Sequence, residues 1–220
     1  ALGCNSTASY YRASAYGYES SANWDHASAI GRTNIAGGLD SSAMGSFNCA
    51  DEMRTSAFGF CNHAGCDCSS AFGYYNFATG NTSTAIGFSN NASAVKSIAI
   101  GGENCALTQA AAVGFSNVAA GYRSSALGYT NTASGYCSSA FGHLNVASGC
   151  ISSASGYNNT ASGHNSSAFG NLNCATSCYS SAFGSYNDAC ADYAVSVGHH
   201  NCSSASISSA FGICNTASGY

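Results

Sequence analysis

A triplet of small, bulky apolar and glycine residues returns along the whole chain. Ala1-Leu2-Gly3 is followed by Ala15-Tyr16-Gly17, Ala29-Ile30-Gly31, Ala43-Met44-Gly45 and so on to Ala99-Ile100-Gly101, each fourteen residues after the last. One step of thirteen leads to Ala112-Val113-Gly114, and the fourteen-residue step then resumes from Ala126-Leu127-Gly128 to Ala210-Phe211-Gly212. The chain therefore holds sixteen copies, with one residue missing between Ala106 and Ala112. Seven residues after the triplet's Ala stands a second Ala, from Ala8, Ala22 and Ala36 to Ala217, with Ser203 the one departure. Two residues before this second Ala stands an Asn in fourteen of sixteen copies: Asn34, Asn48, Asn62, Asn76, Asn90, Asn104, Asn117, Asn131, Asn145, Asn159, Asn173, Asn187, Asn201 and Asn215. Ser6 and Ser20 hold that place in the first two copies.

The unit reads S-S-A-φ-G-x-x-N-x-A-s-g-x-x, with φ bulky and apolar. Seven residues per half are too few for a helical hairpin, and the period is too short for the common helical repeats. Alternation that breaks at Gly reads as a short strand and a turn. Two strands and two turns close one flattened coil. Coils stacked as parallel strands about 4.8 Å apart make an all-β solenoid. Sixteen of them would give a rod of roughly 75 Å at that spacing. One continuous repeat domain is expected over residues 1–220.

Strand parity assigns the columns to faces. The second-half Ala is followed by Ser9, Asn23, Asp51, Thr79, Ser134, Ser148 and Ser162, a column suited to water, so that Ala points inward. By pseudo-symmetry the triplet Ala points inward too. The Asn column shares this parity and is expected at the inner edge of a turn, bonding backbone groups there and forming a ladder from coil to coil. The φ column then faces outward: after Leu2 it reads Tyr16, Ile30, Met44, Phe58, Phe72, Ile86, Ile100, Val113, Leu127, Phe141, Phe169, Phe183, Val197 and Phe211, with Ser155 the polar exception. An apolar stripe of this length marks an interface. The opposite assignment, φ inside and Ala outside, would crowd Phe side chains into a fourteen-residue coil.

Composition narrows the function. Charged residues make up 6% of the chain, proline is absent and the net charge is −4. The basic residues Arg12, Arg32, Arg54, Lys96 and Arg123 are scattered, which excludes a phosphate-binding face and argues against a nucleic-acid partner. No apolar run reaches the roughly 18 residues that span a bilayer, so membrane insertion by this segment is not expected. The acids Glu19, Asp25, Asp40, Asp51, Glu52, Asp67, Glu103, Asp188 and Asp192 occupy different columns, so no convergent catalytic set is expected and the chain is read as no enzyme, with no cofactor. Thirteen cysteines are present. Cys137 with Cys150 and Cys190 with Cys202 lie one coil apart and are the disulfide candidates. The run from Cys61 through His63 and Cys66 to Cys68 looks metal-like, but its side chains would diverge along a strand, so no metal is expected.

S-x-A-φ-G followed by N-x-A every fourteen residues resembles the head repeats of trimeric autotransporter adhesins, the YadA-like, haemagglutinin-type repeats. Ser70-Ala71-Phe72-Gly73 with Asn76-Phe77-Ala78-Thr79-Gly80 carries the pattern, as does Ser97-Ile98-Ala99-Ile100-Gly101 with Asn104-Cys105-Ala106. The resemblance runs through essentially all of the chain. It implies a left-handed parallel β-roll, a homotrimer, and extracellular display on a bacterial surface, where such heads bind matrix proteins, host or neighbouring cells, or each other. It also implies that the outer-membrane anchor lies in a segment outside this chain, which would be the middle of a longer fibre. The abundance of Cys and the frequent Phe at φ depart from the family pattern. A structural subunit of an extracellular filament or sheath, and a monomeric solenoid such as an ice binder, remain alternative readings.

Overall fold

The computed structural model describes residues 1–219. The chain divides into two compact units, Ala1–Gln109 and a second from Ala110 onward. Each is a parallel β-solenoid built of one five-residue and one two-residue strand per coil. In the first unit the long strands run from Leu2–Cys4 and Ser14–Tyr18 to Ser70–Tyr74, Thr84–Phe88 and Ile98–Gly102, and the short ones from Thr7–Ala8 to Cys105–Ala106. In the second they run from Ala111–Phe115 to Ser209–Ile213 and from Val118–Ala119 to Thr216–Ala217. Long strands pair only with long strands, in parallel and in sequence order, and short strands pair likewise. The expected all-β solenoid with a fourteen-residue coil is borne out, as the register shows: Ala71 lies beside Ala85, Phe72 beside Ile86 and Gly73 beside Gly87. The missing residue falls in a turn, since only Leu107–Ala110 separates the strand ending at Ala106 from the one starting at Ala111. No helix among the described residues is long and apolar enough to cross a membrane.

Both Ala columns are fully buried, from Ala15 and Ala22 to Ala182 and Ala189. Where Ser replaces Ala, at Ser196 and Ser203, each hydroxyl is within donating reach of a backbone carbonyl, at Asp188 and Val195, and the two oxygens stand 3.0 Å apart, so each buried hydroxyl has a partner. A third inward column consists of the first Ser of each unit, such as Ser41, Ser69, Ser83 and Ser97. In several coils these side chains close the second turn: Gly38 N–H donates to Ser41 Oγ and Gly80 N–H to Ser83 Oγ, both at 3.1 Å. Ala27, Ala110 and Ala194 also serve in this column, so small size is its requirement and the hydroxyl is an addition.

Each coil bends where Gly of the triplet takes a φ near +120°, as in Gly59 and Gly87. A Cβ on Gly73 would stand 2.2 Å from the carbonyl oxygen of Gly87 in the next coil. The close approach of backbone to backbone, together with the positive φ, requires glycine at this column. Two non-glycine residues per coil also take left-handed conformations, for example Phe47 (φ 58) and Arg54 (φ 57), and the β-branched Thr33, Thr82 and Ile151 do the same. Such angles are disfavoured for branched side chains. The ladder holds them: Phe47 N–H donates to Arg32 O of the preceding coil at 2.9 Å, Tyr75 N–H to Phe60 O at 3.0 Å, and Ile151 N–H to Tyr136 O at 2.7 Å.

Gly73→Ala should therefore lower stability by about 3 kcal/mol or more, combining strain at positive φ with a clash against backbone that cannot rotate away. Chemical denaturation of the variant beside wild type checks this, with Gly219→Ala, where nothing lies within 4 Å, as the neutral control.

Candidate functional site

The outward side of the long strands is the first candidate surface. Ile30, Met44, Ile86, Leu127, Phe141, Phe169 and Phe183 are between 36 and 39% exposed, and Tyr16 and Phe211 more so. Phe58, Phe72, Ile100, Val113 and Val197 are half-buried by their neighbours in the column. None of the φ residues points into the roll, whose largest fully buried side chains are the asparagines. Aromatic rings meet along the column, Phe58 tilted against Phe72 at 5.1 Å and Phe169 stacked on Phe183 at 5.4 Å. Two residues further along the same strands lies a second exposed column that the sequence reading passed over. It stacks Phe60, Tyr74 and Phe88 at 5.2 and 5.5 Å in the first unit, and Phe115 on Tyr129 at 5.5 Å in the second. Its signal was weaker, since Arg32, Ser46 and Asn171 interrupt it, whereas φ is apolar in nearly every coil.

The asparagines lie at the opposite, inner side of the bend. Asn76 is representative. Its Nδ2 donates to Phe72 O at 2.9 Å within the coil, to Gly87 O at 2.7 Å in the next coil, and to Asn62 Oδ1 at 3.0 Å in the preceding one. Its Oδ1 accepts from Asn90 N–H at 3.1 Å and Asn90 Nδ2 at 2.9 Å. The same set recurs at Asn48, Asn62 and Asn90 in the first unit and at Asn131, Asn145, Asn159, Asn173 and Asn187 in the second. Asn34, at the start of the run, bonds Ile30 O and Gly45 O, and Asn201 keeps all three donations, to Val197 O, Gly212 O and Asn187 Oδ1. Asn104 donates to Ile100 O and Asn90 Oδ1, Asn117 to Val113 O and Gly128 O, and Asn215 to Phe211 O. Only a carboxamide supplies two donors and two acceptors at this reach. Ser20, in an earlier coil, manages one bond, to Gly31 O at 3.1 Å.

All thirteen cysteines are free, those of the two candidate pairs included. Burial pushes the thiols of Cys105, Cys174 and Cys190 up. In the run from Cys61 to Cys68, Asn62 and Ala64 turn inward while Cys68 faces solvent. A different cluster forms in the first unit. Cys49 and His63 are register partners on adjacent short strands, and Asp51 follows two residues after Cys49. The Cys49 thiol donates to Asp51 Oδ1 at 2.8 Å, and His63 Nε2 lies 2.8 Å from Asp51 Oδ2. Burial, reinforced by the bond to Asp51, pushes the Cys49 thiol up to about 12. The bond to His63 holds the Asp51 carboxyl below its usual range, and that same bond raises His63. Sequence reading missed this trio because its members come from two coils; adding one period to Cys49 reaches His63 and was the available signal.

With the fold and these surfaces defined, the chain falls in the class of parallel β-solenoids with an alanine-lined interior. The family model described as "YadA head domain repeat (2 copies)" matches residues 69–89, 78–104, 108–131, 119–143 and 152–173. These matches bear out the resemblance read from the sequence: the matched segments, which cover under half of the chain, are similar to YadA-type head repeats. No curated protein matches the chain.

Asn76→Asp should destabilise the fold by about 3 kcal/mol at neutral pH, because it sets a carboxylate against the carbonyls of Phe72 and Gly87 and removes every donor. The deficit should shrink near pH 4, where the buried carboxyl takes a proton and regains one donor. Unfolding midpoints at the two pH values measure both effects. The His63–Asp51 pair has its own pH signature. A raised His stabilises fully below its unfolded value of 6.5, and the benefit fades as pH rises through the folded value; a lowered Asp stabilises fully above 3.8, and the benefit fades as pH falls through the folded value. The pair therefore contributes most between these values. Both partners are well exposed, so solvent limits the contribution to less than about 1 kcal/mol. His63→Gln should lower stability at pH 5.5 and have almost no effect near pH 9, read from paired melting curves.

Proposed function

We propose that this chain is a stretch of a trimeric adhesin head, in which three copies pack their φ stripes around a common axis and hold variable loops away from the cell surface. The observation that carries the reading is the φ column itself: it is apolar in nearly every coil, it stands outside the roll, and much of it stays exposed. A stripe of this kind suits a closed ring of copies better than an open sheet, since a heterologous contact that closes leaves no apolar edge. The YadA-type repeats support the same stoichiometry.

In this reading the segment performs no chemistry. It acts as a stiff spacer, and its attachment to matrix, host or neighbouring cells, or to other heads, rests on weak contacts multiplied along three chains. The asparagine and glycine columns serve the scaffold, while ligand choice belongs to the exposed turns, whose residues vary from coil to coil. An extracellular filament or sheath subunit is the second reading, in which the same stripe joins chains without limit.

Light scattering after size-exclusion chromatography should give a mass three times the 22.0 kDa of the chain. Phe58→Asp with Phe72→Asp should shift the mass toward that of one chain, because the six added charges per trimer, two from each copy, would be buried without partners. A monomeric wild type sinks the trimer, and an unbounded mass moves the reading to the filament.

A further inference from the structure

The trio of Cys49, Asp51 and His63 carries more than an ion pair. Its thiol sulfur, a carboxylate oxygen and an imidazole nitrogen all lie within 4.8 Å of one another. In a four-coordinate zinc centre with these donors, bond lengths of about 2.0 to 2.3 Å place ligand atoms about 3.3 to 3.8 Å apart. Opening the two contacts of 2.8 Å by less than about 1 Å makes room for such an ion, well within side-chain rotation. The backbone already holds the three positions together, because Cys49 and His63 face each other across paired strands.

Two further features suit a ligand site. Gly65 occupies the place in the next coil that Asp51 occupies in its own, and a Cβ there would stand 3.0 Å from His63 Nε2 and 3.2 Å from Cε1. The missing side chain leaves the imidazole free to fold back over Asp51. Along the same column Ile35 lies beside Cys49, and the Phe77 ring meets the His63 ring edge-on at 6.4 Å.

We propose that Cys49, Asp51 and His63 form a binding site for a divalent transition metal of the zinc type, with a fourth position open to solvent. One sulfur, one nitrogen and one oxygen donor favour zinc or cobalt over calcium or magnesium, which prefer oxygen alone. Binding releases the thiol proton to solvent, together with the Nε2 proton where the imidazole carries it. The site is independent of the chain's oligomeric state, because all three ligands come from two consecutive coils of one chain.

Cobalt(II) titration of the full chain tests this, with thiolate charge-transfer absorption and bound metal per chain as readouts. The other cysteines can bind metal too, so variants are compared with wild type. Cys49→Ser and His63→Gln should each lose one equivalent of cobalt that wild type and Cys68→Ser retain, with far-UV circular dichroism unchanged in all four. Equal binding by Cys49→Ser and wild type overturns the proposal. Retention of the equivalent in His63→Gln also overturns it, since a thiol alone would then be the ligand. X-ray absorption at the zinc edge adds an independent measurement: one sulfur and two or three light-atom neighbours are expected, and a sulfur-only shell overturns the site.

Discussion

Fourteen residues closed into one flattened coil leave room inside for methyl groups and little else, and most of the structure follows from that narrowness. The interior takes Ala from both strands and Ser from the turn. The largest side chains it admits are asparagines, which are held at the bend by hydrogen bonds and not by apolar packing. Every bulky apolar residue is consequently forced to the outside. In an ordinary globular domain such residues would form the core; here they form the surface.

The energetic consequence is that burial within one chain cannot be the main source of order. An inward Ala methyl contributes on the order of 0.8 kcal/mol, while fixing a residue's backbone costs about 1 to 2 kcal/mol. Two methyls per coil fall far short of fourteen ordered residues. The balance must come from bonds between coils and from whatever covers the outside. Asparagine fits the first need because its side chain bonds three successive coils at once, tying each bend to its neighbours above and below. The triplet glycine is the other half of that joint: without a Cβ, its carbonyl can come close enough to receive the asparagine of the preceding coil.

Much of this architecture was legible in the sequence because it is written in columns. Period, strand and turn order, the inward Ala and the position of the deleted residue all follow from residues that recur in register. The inward Ser was legible too, by the same parity that turned Ala71 inward, since Ser69 precedes it by two. The left-handed positions were not. Phe47, Arg54, Thr82 and Ile151 share no residue type, because the ladder and not the side chain sets their backbone angles. A solenoid can impose a costly φ at the same place in every coil, and the sequence then shows glycine or asparagine there in only a few coils, such as Asn158 and Asn165. The trio of Cys49, Asp51 and His63 was hidden for a related reason. Neighbours in space here are one period apart in sequence, and a search for ligands within one segment, such as Cys61 to Cys68, looks along the coil when contacts run across it.

The same geometry separates the chain's two kinds of position. Inward columns are constrained by the coil above and below, so a change at one of them disturbs three coils. Outward turn residues vary more freely, which is why Asp25, Leu39, Met53 and Asp67 can follow one another at equivalent places. The φ column is outward yet does not vary in character. Nothing inside a single roll demands that uniformity, since Ser155 stands between Phe141 and Phe169 without breaking the register. A column that the chain's own fold leaves unconstrained, and that still stays apolar in nearly every coil, is answering to something outside the chain. The coil supplies an apolar stripe on its outside, the one place where the burial that a roll of alanines lacks can still be found.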